Sequence, residues 1–252
     1  MQELCESFDR VIQDGKLKRS EGERLRGRLQ FAGGQLFGRT ARNHLKLLSM
    51  HIQSGRLALS DETVFTLTRI RDQLSMDKPR KIVGSLSDHI HAYVDVSFDD
   101  TGYSGVGGVL FDSDGTVLDF FSQKIDQSLV DLIKAVDQET IIQELEMLSL
   151  AIAVTVWGPK WKGRWTVAFT DSEAVRGGFL KTWSNNRPCN TLLAEIFRVE
   201  EEFLCPIWLE RVPSQSNPSD ELPRSEVAAW RGLQRARVSP RELWEHVANS
   251  LG

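Results

Sequence analysis

Cysteine is scarce in this 252-residue chain, and long apolar runs are missing from it. The three cysteines, Cys5, Cys189 and Cys205, lie far apart and form no CxxC pair, which argues against a disulfide framework and a zinc site. No stretch is apolar over the length that a membrane span needs, and the charged first twenty residues do not form a secretion signal. We therefore expect an intracellular protein of a reducing compartment, without a membrane partner; the sequence does not indicate which compartment.

Charge is divided unevenly along the chain, although the net value is only −4. Residues 1–80 carry 15 Lys and Arg against 10 Asp and Glu, whereas the remainder carries 16 against 25. Residues 15–46 hold nine basic side chains and two acidic ones. This block is either a set of solvated helix faces or a contact surface for nucleic acid. Under the second interpretation the nucleic-acid-binding candidates are Arg24, Arg26, Arg28, Arg39 and Arg42.

The spacing of apolar residues changes near residue 80 and divides the chain there. Before that point the spacing is helical, as in the stripe formed by Leu4, Phe8 and Val11. A polar stretch with a proline follows, and strand-like alternation begins at residue 90. We predict a basic helical region at 1–80, a linker at 81–89, an α/β domain at 90–232 and a helical C-terminal tail at 233–252.

The pattern over residues 90–232 predicts the element order β-β-β-α-β-α-α-β-α. The first three strands are joined by short turns, and the fourth, "RWTVAFTD", is apolar enough for a buried parallel position. The closing helix is predicted over "DELPRSEVAAWRGL", residues 220–233. The expected fold class is thus α/β, a mixed five-stranded sheet flanked by helices, preceded by a helical region.

Asp95 stands in the middle of the apolar first strand, "AYVDVSF". Aspartate is disfavoured inside strands, and a buried carboxylate is costly unless it is paired or binds a metal. Alternation allows a simpler interpretation, in which Asp95 faces solvent on a half-exposed strand.

Other carboxylates follow at informative places along the α/β region. Asp171 ends the fourth strand, Asp220 begins the predicted closing helix, and Glu144 and Glu146 lie on the long central helix. Carboxylates from four elements can converge at one edge of such a sheet. Because they repel one another, two Mg²⁺ or Mn²⁺ ions about 4 Å apart would neutralise them and hold a phosphodiester.

Four stretches resemble, in order, a ribonuclease H domain of the retroelement type. They are "AYVDVSFDDTGYSGVGGVLF", "ELEMLSLAIAV", "VAFTDSEAV" and "SNPSDELPR", the last similar to the family's Asn-x-x-Asp-x-x-x-Arg ending. The resemblance implies a two-metal endonuclease that cuts the RNA strand of an RNA–DNA hybrid. It implies that Asp95, a helix glutamate, Asp171 and Asp220 hold the metals. Within the same stretches we expect Ser97, Ser172 and Asn217 to contact nucleic acid.

The helix glutamate is chosen between two positions, Glu144 and Glu146. Residues two apart on a helix point to different sides, so only one of them can face the site. The family's helix carries small or apolar residues three and seven positions after its glutamate. Ser149 and Ala153 follow Glu146 at these offsets, which favours Glu146 and leaves Glu144 as the alternative.

Departures from the family pattern keep other functions open. The loop "VPSQSNPSDE" has no histidine, a residue that many members carry there for product release, so activity is expected to be slow. A catalytically inactive module that binds nucleic acid or protein is therefore the alternative function. An exonuclease of the same general fold is disfavoured. That class requires Asp-x-Glu on the first strand, whereas this chain has Asp95-Val96-Ser97 there.

The N-terminal region has a resemblance of its own. The stretch "GERLRGRLQFAGGQLFGRTARNHLKLL" is similar to the helical thumb and connection that precede ribonuclease H in some reverse transcriptases. The resemblance implies the C-terminal part of a reverse-transcriptase-type retroelement protein. The expected partners are an RNA–DNA hybrid and the missing polymerase portion.

The stretch "KWKGRW", residues 160–165, interleaves two tryptophans with three cations. A loop of this composition can stack on nucleic acid and hold its backbone. In the simpler interpretation Trp165 begins a buried strand and the other residues form a solvated turn.

Overall fold

A computed structural model describes residues 2–36, 38–75, 88–99, 101–134 and 140–249. The chain forms two compact units, one of residues 1–82 with 248–252, and one of residues 83–247. Most of the predicted linker, 81–89, lies outside the described residues. In the described part of the chain, no helix has the length and apolar character needed to cross a bilayer.

The first unit is helical in its described part. Its helices are α1 (Gln2–Asp14), α2 (Arg19–Leu36), α3 (Gly38–Ser54) and α4 (Asp61–Ser75). Each turns an apolar stripe inward, because residues three and four apart share a helix face. The side chains that form this core include Phe8 on α1, Leu25 on α2, Leu48 on α3 and Leu67 on α4.

The second unit contains every strand of the sheet. Its elements are β1 (His89–Phe98), β2 (Ser104–Phe111), β3 (Val117–Lys124), α5 (Gln127–Ile133), α6 (Ile142–Trp161), β4 (Trp165–Thr170), α7 (Glu173–Lys181), α8 (Arg187–Phe203), β5 (Ile207–Arg211) and α9 (Pro240–Asn249).

The sheet has the order β3-β2-β1-β4-β5. Strands β1, β2 and β3 are antiparallel neighbours, whereas β4 runs parallel to β1 and β5 parallel to β4. Short turns suffice for the antiparallel pairs, whereas strands that run parallel need long helical connections. The chain reaches β4 from β3 through α5 and α6, and β5 from β4 through α7 and α8. The predicted fold class, an RNase H-like mixed five-stranded sheet flanked by helices and preceded by a helical region, is confirmed.

One face of the sheet is fully covered by helices. Ile90, Ala92 and Val94 of β1 and Ala168 of β4 are 0% exposed on this face. Helix α6 packs on β1 and β2 and against α8 behind it. It is apolar almost all round, because it lies between the sheet and another helix.

The closing helix predicted over residues 220–233 is wrong. Residues 218–225 form consecutive turns, and only Ala228–Trp230 makes a short 3-10 helix. Pro223 lacks an amide donor in the middle of the predicted helix, and Ser225 adopts a left-handed φ of 62°. The irregular segment still packs on the sheet, since Leu222 joins Val109 and Phe120 in a buried cluster.

The same segment continues along the outer edge of β3. The amide of Phe120 donates to the carbonyl of Gln234 at 3.1 Å, and Ala236 donates back to Phe120 at 2.7 Å. These bonds satisfy part of an edge strand that otherwise presents free backbone groups. The second face of the sheet is therefore covered over β2 and β3 by irregular chain rather than by a helix.

Candidate catalytic and metal site

The site begins where two parallel strands end side by side. Tyr93 on β1 pairs with Phe169 on β4, and two residues further along each chain come Asp95 and Asp171. Since side chains alternate with period two, both aspartates project from the same face of the sheet. Asp171 follows immediately after the last residue of β4.

Glu146 joins the two aspartates from helix α6. Asp95, Glu146 and Asp171 each offer a carboxylate oxygen that lies within 4.8 Å of the oxygens of the other two. Asp95 is only 5% exposed and Glu146 only 6%. The interpretation of Asp95 as a solvent-facing residue of a half-exposed strand is therefore wrong.

The register of α6 explains why Glu146 faces the site. Ser149, three residues later, donates its hydroxyl to the carbonyls of Asp95 and Gly107, both at 3.2 Å. A small side chain at this position lets the helix lie close to β1 and β2. Glu144 is fully buried and points away from the cluster. Burial of Cys189, and then the charge of Glu144, raise the pKa of the Cys189 thiol to about 12.

Two carboxylates of the cluster, Asp95 and Glu146, resist ionisation. Burial, followed by the charges of Asp171 and Asp220, raises the pKa of Asp95 to about 7. Burial and then the charges of Asp171 and Asp95 raise the pKa of Glu146 well above its ordinary value. Like charges held close together away from water prefer to keep protons, unless a cation replaces them.

The donor set fits a hard divalent cation. All three clustered groups are carboxylates, and oxygen ligands of this kind suit Mg²⁺ and Mn²⁺. Thr170 completes the surroundings by donating its hydroxyl to Oε2 of Glu146 at 3.4 Å. Elevated pKa values and oxygen donors together describe a site that gains stability when a metal replaces the protons.

Asp220, the fourth predicted ligand, lies outside this closest cluster. Arg224 holds it in a two-point ion pair, with Nη1 to Oδ2 at 2.6 Å and Nη2 to Oδ1 at 3.0 Å. Asp220 nevertheless lies near enough for its charge to act on the pKa of Asp95. The structure thus brings three of the four predicted carboxylates together and places the fourth beside them.

Asn217 ties the Asp220 segment to the site. Its side-chain amide donates to the carbonyl of Val94 at 3.0 Å, next to Asp95 on β1. Its own oxygen accepts from the hydroxyl of Ser219 at 2.7 Å. We predicted Asn217 as a nucleic-acid contact, and the structure places it 6% exposed as an anchor between loop and strand.

Two glycines of β2 let the same segment lie against the sheet. A Cβ on Gly105 would come within 2.0 Å of the carbonyl oxygen of Pro223, and one on Gly107 within 2.6 Å of Cβ of Leu222. Gly107 is also the register partner of Asp95. The glycine run next to the first strand therefore serves close packing beside the carboxylates.

Side chains around Asp171 hold the end of β4. Ser214 donates its hydroxyl to Oδ2 of Asp171 at 2.5 Å, and Nε of Arg211 donates to the Asp171 carbonyl at 3.3 Å. Sequence reasoning missed both, because they lie about 40 residues further along the chain. Ser172, predicted to contact nucleic acid, caps α7 by accepting from the amide of Val175, and Ser97 lies partly exposed on β1.

The five predicted nucleic-acid-binding arginines belong to the helical unit. Arg24 approaches Glu21 at 4.0 Å and Arg28 approaches Glu3 at 3.8 Å. Arg42 is exposed, while Arg26 and Arg39 are half-buried. Their role in nucleic-acid binding stays a prediction.

Comparisons with known proteins find fold likeness only among solved structures. No family model matches the chain, and no curated protein matches it. RNase H1 from Halobacterium salinarum NRC-1 is 19% identical with a TM-score of 0.43, covering 56% of this chain and 98% of that one. The N-terminal RNase H domain of a Mycobacterium tuberculosis protein is 20% identical with a TM-score of 0.43, covering 57% and 96%. A foamy viral protease-reverse transcriptase in complex with an RNA/DNA hybrid is 13% identical with a TM-score of 0.40, covering 70% and 27%.

Proposed function

We propose that this protein is a metal-dependent endonuclease that cuts the RNA strand of RNA–DNA hybrids. The observation that carries the proposal is the meeting of Asp95, Glu146 and Asp171, from three separate elements, within 4.8 Å of one another. Asp95 and Glu146 are buried with raised pKa values beside Asp171, and such groups are costly to fold without a function. Binding of two Mg²⁺ or Mn²⁺ ions would offset that cost.

Each residue of the site has a defined task under this proposal. Bound metal ions supply a polarised phosphate and an activated water for phosphodiester hydrolysis. Asp95, Glu146 and Asp171 hold the ions, and Ser214 orients Asp171 by its hydrogen bond. Asp220 completes the ligand set from its turn once it leaves Arg224, and the anchored Asn217 keeps that turn in place.

The choice of an RNA–DNA hybrid as substrate rests on the sequence stretches that resemble retroelement ribonucleases H. The N-terminal stretch resembles the thumb and connection of reverse transcriptases. We therefore propose that the whole chain is the C-terminal part of a reverse-transcriptase-type protein. The basic block of the helical unit would then attract the hybrid. The polymerase portion would be its protein partner.

One observation favours the second candidate, an inactive module that binds nucleic acid or protein. Arg224 already pairs with both carboxylate oxygens of Asp220, so its guanidinium neutralises the fourth carboxylate without a metal. A site that has lost its need for a second metal would have this arrangement. Catalysis therefore requires Asp220 to exchange its guanidinium partner for a metal ion.

Cleavage of a labelled RNA–DNA hybrid in Mg²⁺ tests the two candidates, with double-stranded RNA and double-stranded DNA as substrate controls. Glu146→Gln should lower the rate by about a thousandfold or more, because it removes a charged ligand from the cluster. Glu144→Gln is the matched control on the same helix and should cleave at nearly the wild-type rate. Wild-type protein that binds the hybrid but never cleaves it would support the inactive module.

A further inference from the structure

In the part of the chain that the structure describes, the second face of the sheet carries exposed side chains on β1, β4 and β5. Register pairs place His89 beside Trp165 and Val167 beside Trp208 on this face. Trp165 is 42% exposed and Trp208 52% exposed. The irregular segment that replaces the predicted closing helix packs over β2 and β3 instead.

Most side chains of this face are rings, with Val167 as an aliphatic neighbour of Trp208. Tyr93 and Phe169 stack at 4.5 Å, Phe169 meets His91 edge-on at 6.1 Å, and His91 lies 5.0 Å from His89. These rings connect the carboxylate end of β1 and β4 to the tryptophan end. Trp208 is held in place, because its indole nitrogen donates to Glu210 at 3.3 Å.

The exposed area of the two tryptophans is small for an interface with a second copy of the chain. A tryptophan has roughly 150–250 Å² of surface to bury, so the exposed parts of two give about 200 Å². A stable protein interface needs about 800 Å² from each partner. Planar rings with so little area suit a ligand that is itself planar and stacks one unit at a time.

Charge and continuity favour nucleic acid as that ligand. Lys162 is exposed beside the face, Arg164 pairs with Asp88 at 3.1 Å, and Glu210 on the face pairs with Arg176 at 2.9 Å. These ion pairs balance the acidic groups of the face and Lys162 adds a cation, although the unit as a whole is acidic. The same strands lead directly to Asp95 and Asp171, where the proposed function puts the scissile phosphodiester.

We propose that Trp165 and Trp208 form a stacking platform for unpaired bases of a single strand that extends from the hybrid in the nuclease site. The two positions lie on adjacent strands and two residues apart in register, about 8 Å from strand spacing and rise. That backbone separation is close to twice the roughly 3.4 Å rise of stacked bases, so we expect room for one base between the indoles. The substrate part of this inference rests on the proposed function.

The platform has a defined reach. His89 lies six residues before Asp95 on β1, which at about 3.3 Å per residue is about 20 Å. A stacked single strand covers this distance in about six nucleotides. Overhangs of about three nucleotides should therefore gain nothing from the platform, whereas overhangs of about ten should bind more tightly than a blunt hybrid.

The test compares full-length protein on blunt hybrids and on hybrids with overhangs of about three and about ten nucleotides, at either end, in Ca²⁺ to suppress cleavage. Fluorescence anisotropy gives the affinity, and quenching of tryptophan emission reports stacking. Doubly substituted Trp165→Ala/Trp208→Ala should lose about tenfold in affinity per tryptophan on the long overhang only. Trp208→Phe should keep most of the affinity, and Leu132→Ala, an exposed apolar residue on α5, is the control.

The outcomes separate this inference from the nuclease proposal. If long overhangs bind in a tryptophan-dependent way but no Mg²⁺-dependent cleavage occurs, the stacking platform is supported and the nuclease proposal is contradicted. Cleavage with an overhang advantage that the double variant retains would overturn the platform alone. A concentration-dependent dimer that disappears in the double variant would also overturn it, since a second copy would then cover the face. If the double variant does not fold, Trp208→Ala on the edge strand carries the same test.

Discussion

The two units of the chain place like charges in opposite ways. In the helical unit, Arg24 and Arg28 lie on exposed surfaces and each approaches a nearby glutamate. Exposed pairs of this kind contribute about 0–1 kcal/mol each and leave the cations accessible to solvent. A block of positive charge is therefore carried at little cost to folding.

In the α/β unit, the like charges are carboxylates turned toward one another. Asp95 and Glu146 are buried, and their pKa values are raised by burial first and by neighbouring acids second. Water cannot screen them as it screens the arginines. The comparison separates solvated cations, which stay accessible at the surface, from buried carboxylates, which demand a cation at close range.

The largest effect is expected on hybrid cleavage, when a charge is removed from the carboxylate cluster. Asp95→Asn keeps the shape of the side chain and removes a charged ligand, so hybrid cleavage in Mg²⁺ should fall by about a thousandfold or more. The fold should be retained, as circular dichroism would verify. A variant that cleaves at the wild-type rate would remove Asp95 from the site, and Asp131→Asn on α5 serves as the unaffected control.

Removal of the exposed positive charge should change affinity rather than chemistry. Each phosphate contact adds about 0.9 to the slope of log affinity against log salt. If about four of the five candidate arginines contact phosphates, replacing all five by glutamine should flatten that slope by about 3–4, with little change in turnover on saturating hybrid. Hybrid binding in Ca²⁺ over a salt series measures it. An unchanged slope would make the basic block a solvated surface, and Arg237→Gln in the other unit is the control.

Stability without metal should depend on pH through Asp95. The pKa of Asp95 rises from its ordinary 3.8 in the unfolded chain to about 7 in the fold, so the folded state binds more protons between these values. The free energy of unfolding should therefore fall as pH rises from about 4 to about 7, by at most about 4 kcal/mol. Asp95→Asn should flatten this dependence and raise or preserve stability at neutral pH.

Thermal unfolding in a chelating buffer, repeated in Mg²⁺, provides the measurement. Metal should weaken the loss of stability toward neutral pH, because it binds the deprotonated carboxylates. Stability of the metal-free wild type that increases between pH 4 and 7 would contradict the raised pKa of Asp95.

The smallest expected effect concerns the anchor of the Asp220 segment. Asn217→Ala leaves the carbonyl of Val94 without its donor in a buried place, which should cost about 1–3 kcal/mol of stability. Weaker metal binding should accompany the loss, since Asp220 is held by the same turn. Isothermal titration with Mg²⁺ and thermal unfolding would detect both. Metal affinity that is unaffected would confine Asn217 to a structural role.

Much of the architecture could be predicted from patterns within short stretches of the sequence. Alternation over residues 89–98 and the apolar run at 165–170 predicted β1 and β4, and helical spacing predicted α6 and α8. The offsets from Glu146 to Ser149 and Ala153 indicated which side of α6 faces the sheet, and the structure brings Glu146 to the two aspartates. These features depend on periodicity and side-chain size, which can be read from residues close together in the sequence.

Only the tertiary structure decided how the site is closed. The hydrogen bond from Asn217 to Val94 joins residues 123 positions apart, and no local pattern encodes it. Helical spacing over residues 220–233 was overruled by Pro223, by the left-handed Ser225 and by packing against β2 glycines. Burial of Asp95, its raised pKa and the open tryptophan face also depend on which distant segments cover the sheet. The sequence by itself determined the five strands, the helices α6, α7 and α8 and the order of the carboxylates, because these follow from local chemistry. The loss of the closing helix and the proximity of the carboxylates are properties of long-range packing.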